Sequence, residues 1–225
     1  MTITPLDPTG LADVTLSTAM REGSAAEHDQ AEHTTFMEEL LGGKLNEAAY
    51  ADYLRRLRVV YATLESVGRQ LTDDPIAGPL LDPALERLSA IDADLTFWAP
   101  GEPFDVASDA ASAYASRIAA SAAWGGLFLA HHYTRYLGDL SGGQVVGRLL
   151  GRHFDLDGRG VAFYDFPEIG KTKPYKDAYR AELDAVGSAL SPDDRARIVT
   201  EVKAAFRANQ DLFNELGSDL SRYRR

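Results

Sequence analysis

The stretch NEAAYADYLRRLRVVYATLESVGRQL, at positions 46–71, decides the fold class. Tyr50, Tyr53, Leu54, Leu57, Val60, Tyr61, Leu64, Val67 and Leu71 recur at i, i+3, i+4 and i+7, which places them on one face of a helix. Asn46 stands where an N-cap is needed, and Pro75 after TDD closes the segment.

The same period continues outward. Asp82-Pro83 reads as a cap with proline in the first turn, followed by Leu85, Leu88, Ile91 and Leu95 and ended by Pro100-Gly101. Residues 108–123 are alanine-rich and helical, and Gly125-Gly126 interrupts them. A glycine-rich helical segment runs from about Leu127 to Phe154, and another amphipathic helix covers about 174–190. Ser191-Pro192 opens the last helix, with Ile198, Val202, Phe206, Leu212, Phe213 and Leu216 as its stripe. No stretch alternates with period two, so strands are not expected. The reading is an all-α single domain over residues 1–225, a bundle of seven or eight helices. Residues 1–10 are expected to be flexible and the last few residues frayed.

Composition narrows the partners. The 225 residues carry 23 Lys+Arg against 34 Asp+Glu, a net charge of −11. Nucleic acid and anionic membrane surfaces are poor partners for such a chain. An anionic ligand would need a local pocket of cations. No Cys is present, which excludes a disulfide scaffold, a thiolate metal site and a cysteine nucleophile. No apolar run is long enough to span a bilayer, and the N-terminus lacks the basic and apolar regions of a secretory signal. A cytoplasmic monomer is expected.

Three places depart from a plain bundle. In LGDLSGGQVVGRLLG, five glycines, Gly138, Gly142, Gly143, Gly147 and Gly151, sit inside a helical pattern. Each mid-helix glycine costs roughly 1 kcal/mol against alanine. Gly138 and Gly142 share a face, which can admit either a neighbouring helix or a flat ligand; spacing alone favours the helix. Tyr133, Arg135, Tyr136 and Asp139 are interleaved with them, and Arg135 with Asp139 can form an i,i+4 pair. A structural pair is the commoner reading, and a proton-relaying carboxylate the alternative. Five histidines are present, without HxxxH or HExxH spacing. His28 lies in TAMREGSAAEHDQAEHTTFM, read as one short helix, with Arg21 seven residues earlier on the same face, about 10 Å away. That pairing suits a planar metal cofactor bearing carboxylates, although a lone histidine is more often not a ligand.

YTRYLGDLSGGQ at 133–144 resembles the distal-helix signature of the haem oxygenase family over twelve consecutive positions. HDQAEHTTFM at 28–37 resembles its proximal-histidine stretch. DLTFWAP at 94–100, AFYDFP at 162–167, KDAYR at 176–180 and AFRANQDLFNEL at 205–216 follow in the family's order. The match covers nearly the whole chain.

The resemblance implies haem b held between a proximal helix and a kinked glycine-rich distal helix. His28 would ligate the iron, with Glu32 one turn on as its neighbour. Gly138 and Gly142 would lie against the other haem face and leave room for O2. Asp139 would hold a water chain, in one polar network with Tyr61, Arg135 and Asn209. Arg21, Tyr133, Lys176 and Arg180 would meet the propionates, and Phe206 would join the haem contacts. The implied reaction is oxidative cleavage of haem at the α-meso carbon to biliverdin, CO and ferrous iron. Electrons would come from an external ferredoxin or reductase. Arg55, Arg56 and Arg58 form the densest basic cluster before the C-terminus; a solvated face is the slightly favoured reading, and a docking face for an acidic ferredoxin-like donor the alternative. Arg21 stands where many relatives carry Lys. The ending SDLSRYRR has no apolar tail, as in soluble bacterial members. Against this stand a haem carrier without turnover, a different enzyme on the same helices, and a plain helical scaffold.

Overall fold

The long helix is α4, Glu47–Gln70, and the Asn46 side chain caps it by accepting from Ala49 N at 3.2 Å. Its apolar face is the centre of the core: Tyr50, Leu54, Leu57, Val60, Tyr61 and Leu64 are all buried. In this computed structural model residues 14–225 are described, so the expectation for residues 1–10 lies outside them. Among the described residues there are helices and helical turns but no strand beyond a single bridge between Leu45 and Arg224.

Ahead of α4 come α1, Leu16–Gly23, α2, Ala25–Glu32, and α3, Thr35–Leu41. After it come α5, Leu88–Trp98, α6, Asp109–Ser121, and α7, Gly125–His132. Two π-helical segments, Tyr133–Leu137 and Asp139–Gly143, join α7 to α8, Gln144–His153. The chain closes with α9, Thr172–Ser188, α10, Pro192–Gly217, and α11, Leu220–Tyr223. α4 packs on α5 and α6, while α10 crosses α2, α3, α6 and α7. That crossing holds the helix of His28 in front of the glycine-rich segment.

Eleven α-helices among the described residues replace the expected seven or eight, and each difference has a local cause. The segment around His28 is three helices, not one. Ser24 leaves helical geometry at φ −109°, ψ 10°, and its hydroxyl donates to Met20 O at 2.7 Å. Thr34 is extended at ψ 144°. Asp82 caps only a 3₁₀ turn, Pro83–Leu85. The following helix starts at Leu88 because Glu65 of α4 accepts from Arg87 N and Leu88 N at 2.6 and 2.8 Å, doing the work of an N-cap from another helix.

The chain end expected to fray is tied down. Tyr223 is buried and donates to Asp52 at 2.7 Å; Arg224 grips Glu39 with two nitrogens, at 2.9 and 2.5 Å. No helix among the described residues is long and apolar enough to cross a membrane.

Candidate functional site

The glycines of the distal segment divide into two faces. A Cβ built on Gly138 would meet nothing within 4 Å, and one on Gly142 only Glu32 Oε1 at 3.9 Å. Both therefore face open space. A Cβ on Gly143 or Gly147 would instead press on Tyr164 at 3.0 and 3.1 Å. The first pair fits the ligand reading and the second the packing reading. The π-helical widening spans Gly138 and Gly142, the kind of irregularity that recurs at functional sites.

Across the space from Gly138 and Gly142 stands α2. The His28 side chain is half exposed, its ring meets Phe206 of α10 edge-on at 5.2 Å, and Nε2 lies 3.4 Å from Glu32 Oε1. Between these walls is a cleft of about 540 Å³. His28 and Phe206 line one side, Gly138 and Gly142 the other, with Arg21, Tyr133 and Arg180 also on the wall. Cavities of this size take small-molecule and cofactor ligands. Backbone on one wall, an imidazole opposite and two guanidinium groups fit a flat ring that carries carboxylates and a metal.

An adjoining recess of about 130 Å³ shares His28, Gly138 and Gly142 and adds Arg135, Asp139 and Asn209. Here the polar network is closed. Arg135 Nε donates to Tyr61 Oη at 3.0 Å, Nη1 to Asn209 Oδ1 at 2.7 Å, and Nη2 to Asp139 Oδ1 at 3.3 Å. The Tyr61 hydroxyl in turn donates to Asp139 Oδ2. Burial pushes the Asp139 carboxyl up to about 6, against the pull of Arg135 and the Tyr61 hydroxyl. A carboxyl so placed can exchange a proton near neutral pH.

A sequence model described as "Heme oxygenase" matches residues 14–215. The chain belongs to the haem oxygenase family. A heme oxygenase of Rhodella violacea is 35% identical over 211 residues, covering 92% of this chain and 89% of that protein. The crystal structure of heme oxygenase-1 from the cyanobacterium Synechocystis in complex with heme superposes with a TM-score of 0.87 at 33% identity, covering 93% of this chain and 95% of that one. The heme oxygenase of Leptospira interrogans gives 0.85 at 32% identity, over 90% and 100%.

Within this haem oxygenase fold, most of the sequence-predicted residues meet. His28, Glu32, Arg21, Tyr133, Gly138, Gly142, Arg180 and Phe206 line the cleft, and Arg135, Asp139 and Asn209 line the recess. Arg21 and Arg180 both act on the Tyr133 hydroxyl, which burial pushes up. Two residues stand differently. Tyr61 is behind Asp139 and does not line the cleft; it reaches the site through its hydrogen bonds. Lys176 is off the cleft wall and donates to Ser141 Oγ at 3.1 Å.

The basic cluster proposed for donor docking is not a surface patch. Arg55 and Arg56 are buried. Arg55 is held by Asp52 and Glu102 at 2.6 and 2.7 Å, Arg56 by Glu215 at 2.7 Å, and Arg58 by Asp92 at 2.6 Å. The other four histidines are occupied elsewhere: His33 with Asp29 O at 2.8 Å, His131 with Glu201 at 2.9 Å, His132 with Tyr179 at 2.8 Å, and His153 with Leu41 O at 3.0 Å. Thr134 and Ser141 also line the cleft and were not singled out from sequence. They stand four before and three after Gly138, so helical spacing carried the signal.

Proposed function

We infer that this chain degrades haem, cleaving it at the α-meso carbon to biliverdin, CO and ferrous iron with O2 and externally supplied electrons. The observation that carries the inference is the placing of Asp139. Its buried carboxyl lies in the recess beside Gly138 and Gly142, opposite His28, with a pKa raised to about 6. A carrier needs a pocket and a ligand; it has no use for a carboxyl tuned in this way.

Bound haem would supply iron that activates O2 and would itself be the molecule oxidised. His28 would hold the ring through its imidazole, and Glu32, 3.4 Å from Nε2, would steady that imidazole. Arg21 and Arg180 orient the carboxylate edge, with Lys176 and Tyr133 beside them. Gly138 and Gly142 keep side chains out of the space where O2 must fit. Asp139 orders water at its carboxylate oxygens and passes a proton from there. Arg135 donates to Oδ1 and Tyr61 to Oδ2, which fixes how the carboxyl is turned, and Asn209 fixes Arg135.

Electrons would come from a ferredoxin or a reductase. The absence of cysteine suits a cytoplasmic setting, and the cleft is complete within one chain, which supports a monomer. Headspace analysis tests the activity: hemin-loaded protein supplied with ascorbate in air should release one CO per haem consumed. Haem that stays bound with no CO released would replace the enzyme by a carrier.

A further inference from the structure

Gly143 and Gly147 make a notch on the distal helix, turned from the Gly138–Gly142 face, and the ring of Tyr164 sits in it at the edge of the recess, whose wall Gly143 and Tyr164 share. A Cβ on Gly143 would stand 3.0 Å from Tyr164 Cδ1; one on Gly147 would stand 3.1 Å from both Cβ and Cδ2. The seat is fixed from below. Tyr164 ends a 3₁₀ turn, Ala162–Tyr164, whose Ala162 and Phe163 amides donate to Asp94 of α5 at 2.9 and 2.8 Å. Gln144 Nε2 closes the contact from the helix by donating to Tyr164 O at 2.7 Å. Asp94 is 1% exposed and Tyr164 7%, so neither is free to swing aside.

The opposite face is open, since Gly138 and Gly142 meet almost nothing. The helix is thus stopped by the Tyr164 ring on one side, while on the cleft side only the polar ties of Asp139 to Tyr61 and of Ser141 to Lys176 restrain it. Any added volume between Tyr164 and the helix moves the helix into the cleft; any removed volume lets it retreat.

We propose that Tyr164 is a specificity-determining positioning residue, whose ring in the Gly143–Gly147 notch sets how far the distal backbone projects toward the bound tetrapyrrole. The proposal rests on the haem reading of the cleft. It makes the height of the distal wall a property of a residue outside the distal segment. The hydroxyl is not what matters here: the flat ring is the spacer.

A double-mutant cycle tests it. The variants are Gly147→Ala, Tyr164→Ala, the two together, and Tyr164→Phe. The readouts are hemin affinity by Soret titration, the biliverdin isomer pattern and the thermal midpoint of the haem-free protein. Gly147→Ala should weaken hemin binding about tenfold, the scale of one overpacked methyl. Tyr164→Ala should broaden the isomer pattern, and Tyr164→Phe should restore the single isomer. In the double variant the methyl fills space left by the ring, so affinity should return to within about threefold of wild type, a compensation well outside additivity. If Tyr164→Ala does not fold, Tyr164→Leu takes its place in the cycle with the same expectations. Effects on affinity that simply add, or Tyr164→Phe behaving like Tyr164→Ala, would overturn the proposal while the haem reading stood. Wild-type protein that binds no hemin would overturn both.

Discussion

Arg135 and Asp139 meet at 3.3 Å, Nη2 to Oδ1, one turn apart on the distal segment, with both side chains 7% exposed. The pair is more than an i,i+4 contact because each partner has a second anchor. Arg135 also binds Asn209 of α10, and Asp139 also receives the Tyr61 hydroxyl from α4. Three helices therefore agree on where one carboxyl lies.

Removing that carboxyl should separate binding from turnover. Asp139→Ala should bind hemin with near-normal affinity and the same spectrum, yet lose about 10²–10⁴-fold in biliverdin formation, the usual worth of a positioned proton transfer. Asp139→Asn should fall between. Single-turnover rates with matched hemin titrations check this. Full biliverdin yield per haem bound in the alanine variant would remove the relay.

The raised pKa of Asp139 has a stability consequence with a definite sign. Its native value is about 6 against an ordinary 3.8, so between those limits the folded state holds more proton than the unfolded state. Stability from this group is therefore greatest below pH 4 and falls as pH rises toward 6. The stability of wild type minus that of Asp139→Asn, from urea melts of haem-free protein, should decline across that window and level off above it. A flat difference would contradict the buried carboxyl.

Glu201 has the opposite sign. Its two contacts with Arg117, both at 2.7 Å, and its bond from His131 hold it at about 2, against an ordinary 4.5 and against its own burial. The stabilisation is complete above pH 4.5 and is lost as pH falls toward 2. Glu201→Gln should lower stability at pH 7 and flatten the acid limb of the unfolding curve.

How much of this was legible depends on how far apart the partners lie in sequence. α4, its Asn46 cap and the meeting of His28 with Gly138 and Gly142 were readable from local pattern and motif. The start of α5 was not, because its cap is Glu65, 22 residues before Arg87. The break at Ser24 turns on one side-chain bond to Met20 O. Gly138 with Gly142 and Gly143 with Gly147 have the same spacing, so only the neighbours, open cleft or Tyr164, tell them apart.

Arg55 and Arg56 show the same limit. Their acceptors Glu102 and Glu215 are 47 and 159 residues away, and a basic run on a polar-looking face proved to be a buried ion-pair cluster. Arg56→Ala should accordingly cost about 2 kcal/mol of stability, the scale of a lost charged hydrogen bond, since Glu215 keeps its bonds from Ser108 and the Ala110 amide. It should leave the salt dependence of donor-driven turnover unchanged. Chemical denaturation and a salt series separate the two effects.

His28 should be replaceable without loss of fold, since its side chain is half exposed on the cleft wall. His28→Ala should keep its helical circular dichroism but lose the histidine-ligated haem spectrum. Ligation needs a neutral imidazole, so acidification should weaken it in the wild type as well. A wild-type spectrum in the variant would move the ligand elsewhere.

The central claim is that the cleft between His28 and the glycine wall destroys the haem it binds. One equivalent of hemin mixed with the purified chain, followed by reductant in air, tests it in a single absorption trace. The account predicts that the Soret band decays while a biliverdin band grows, in equal molar amount. A Soret band that persists as a stable reduced complex, with no bilin formed, would contradict it.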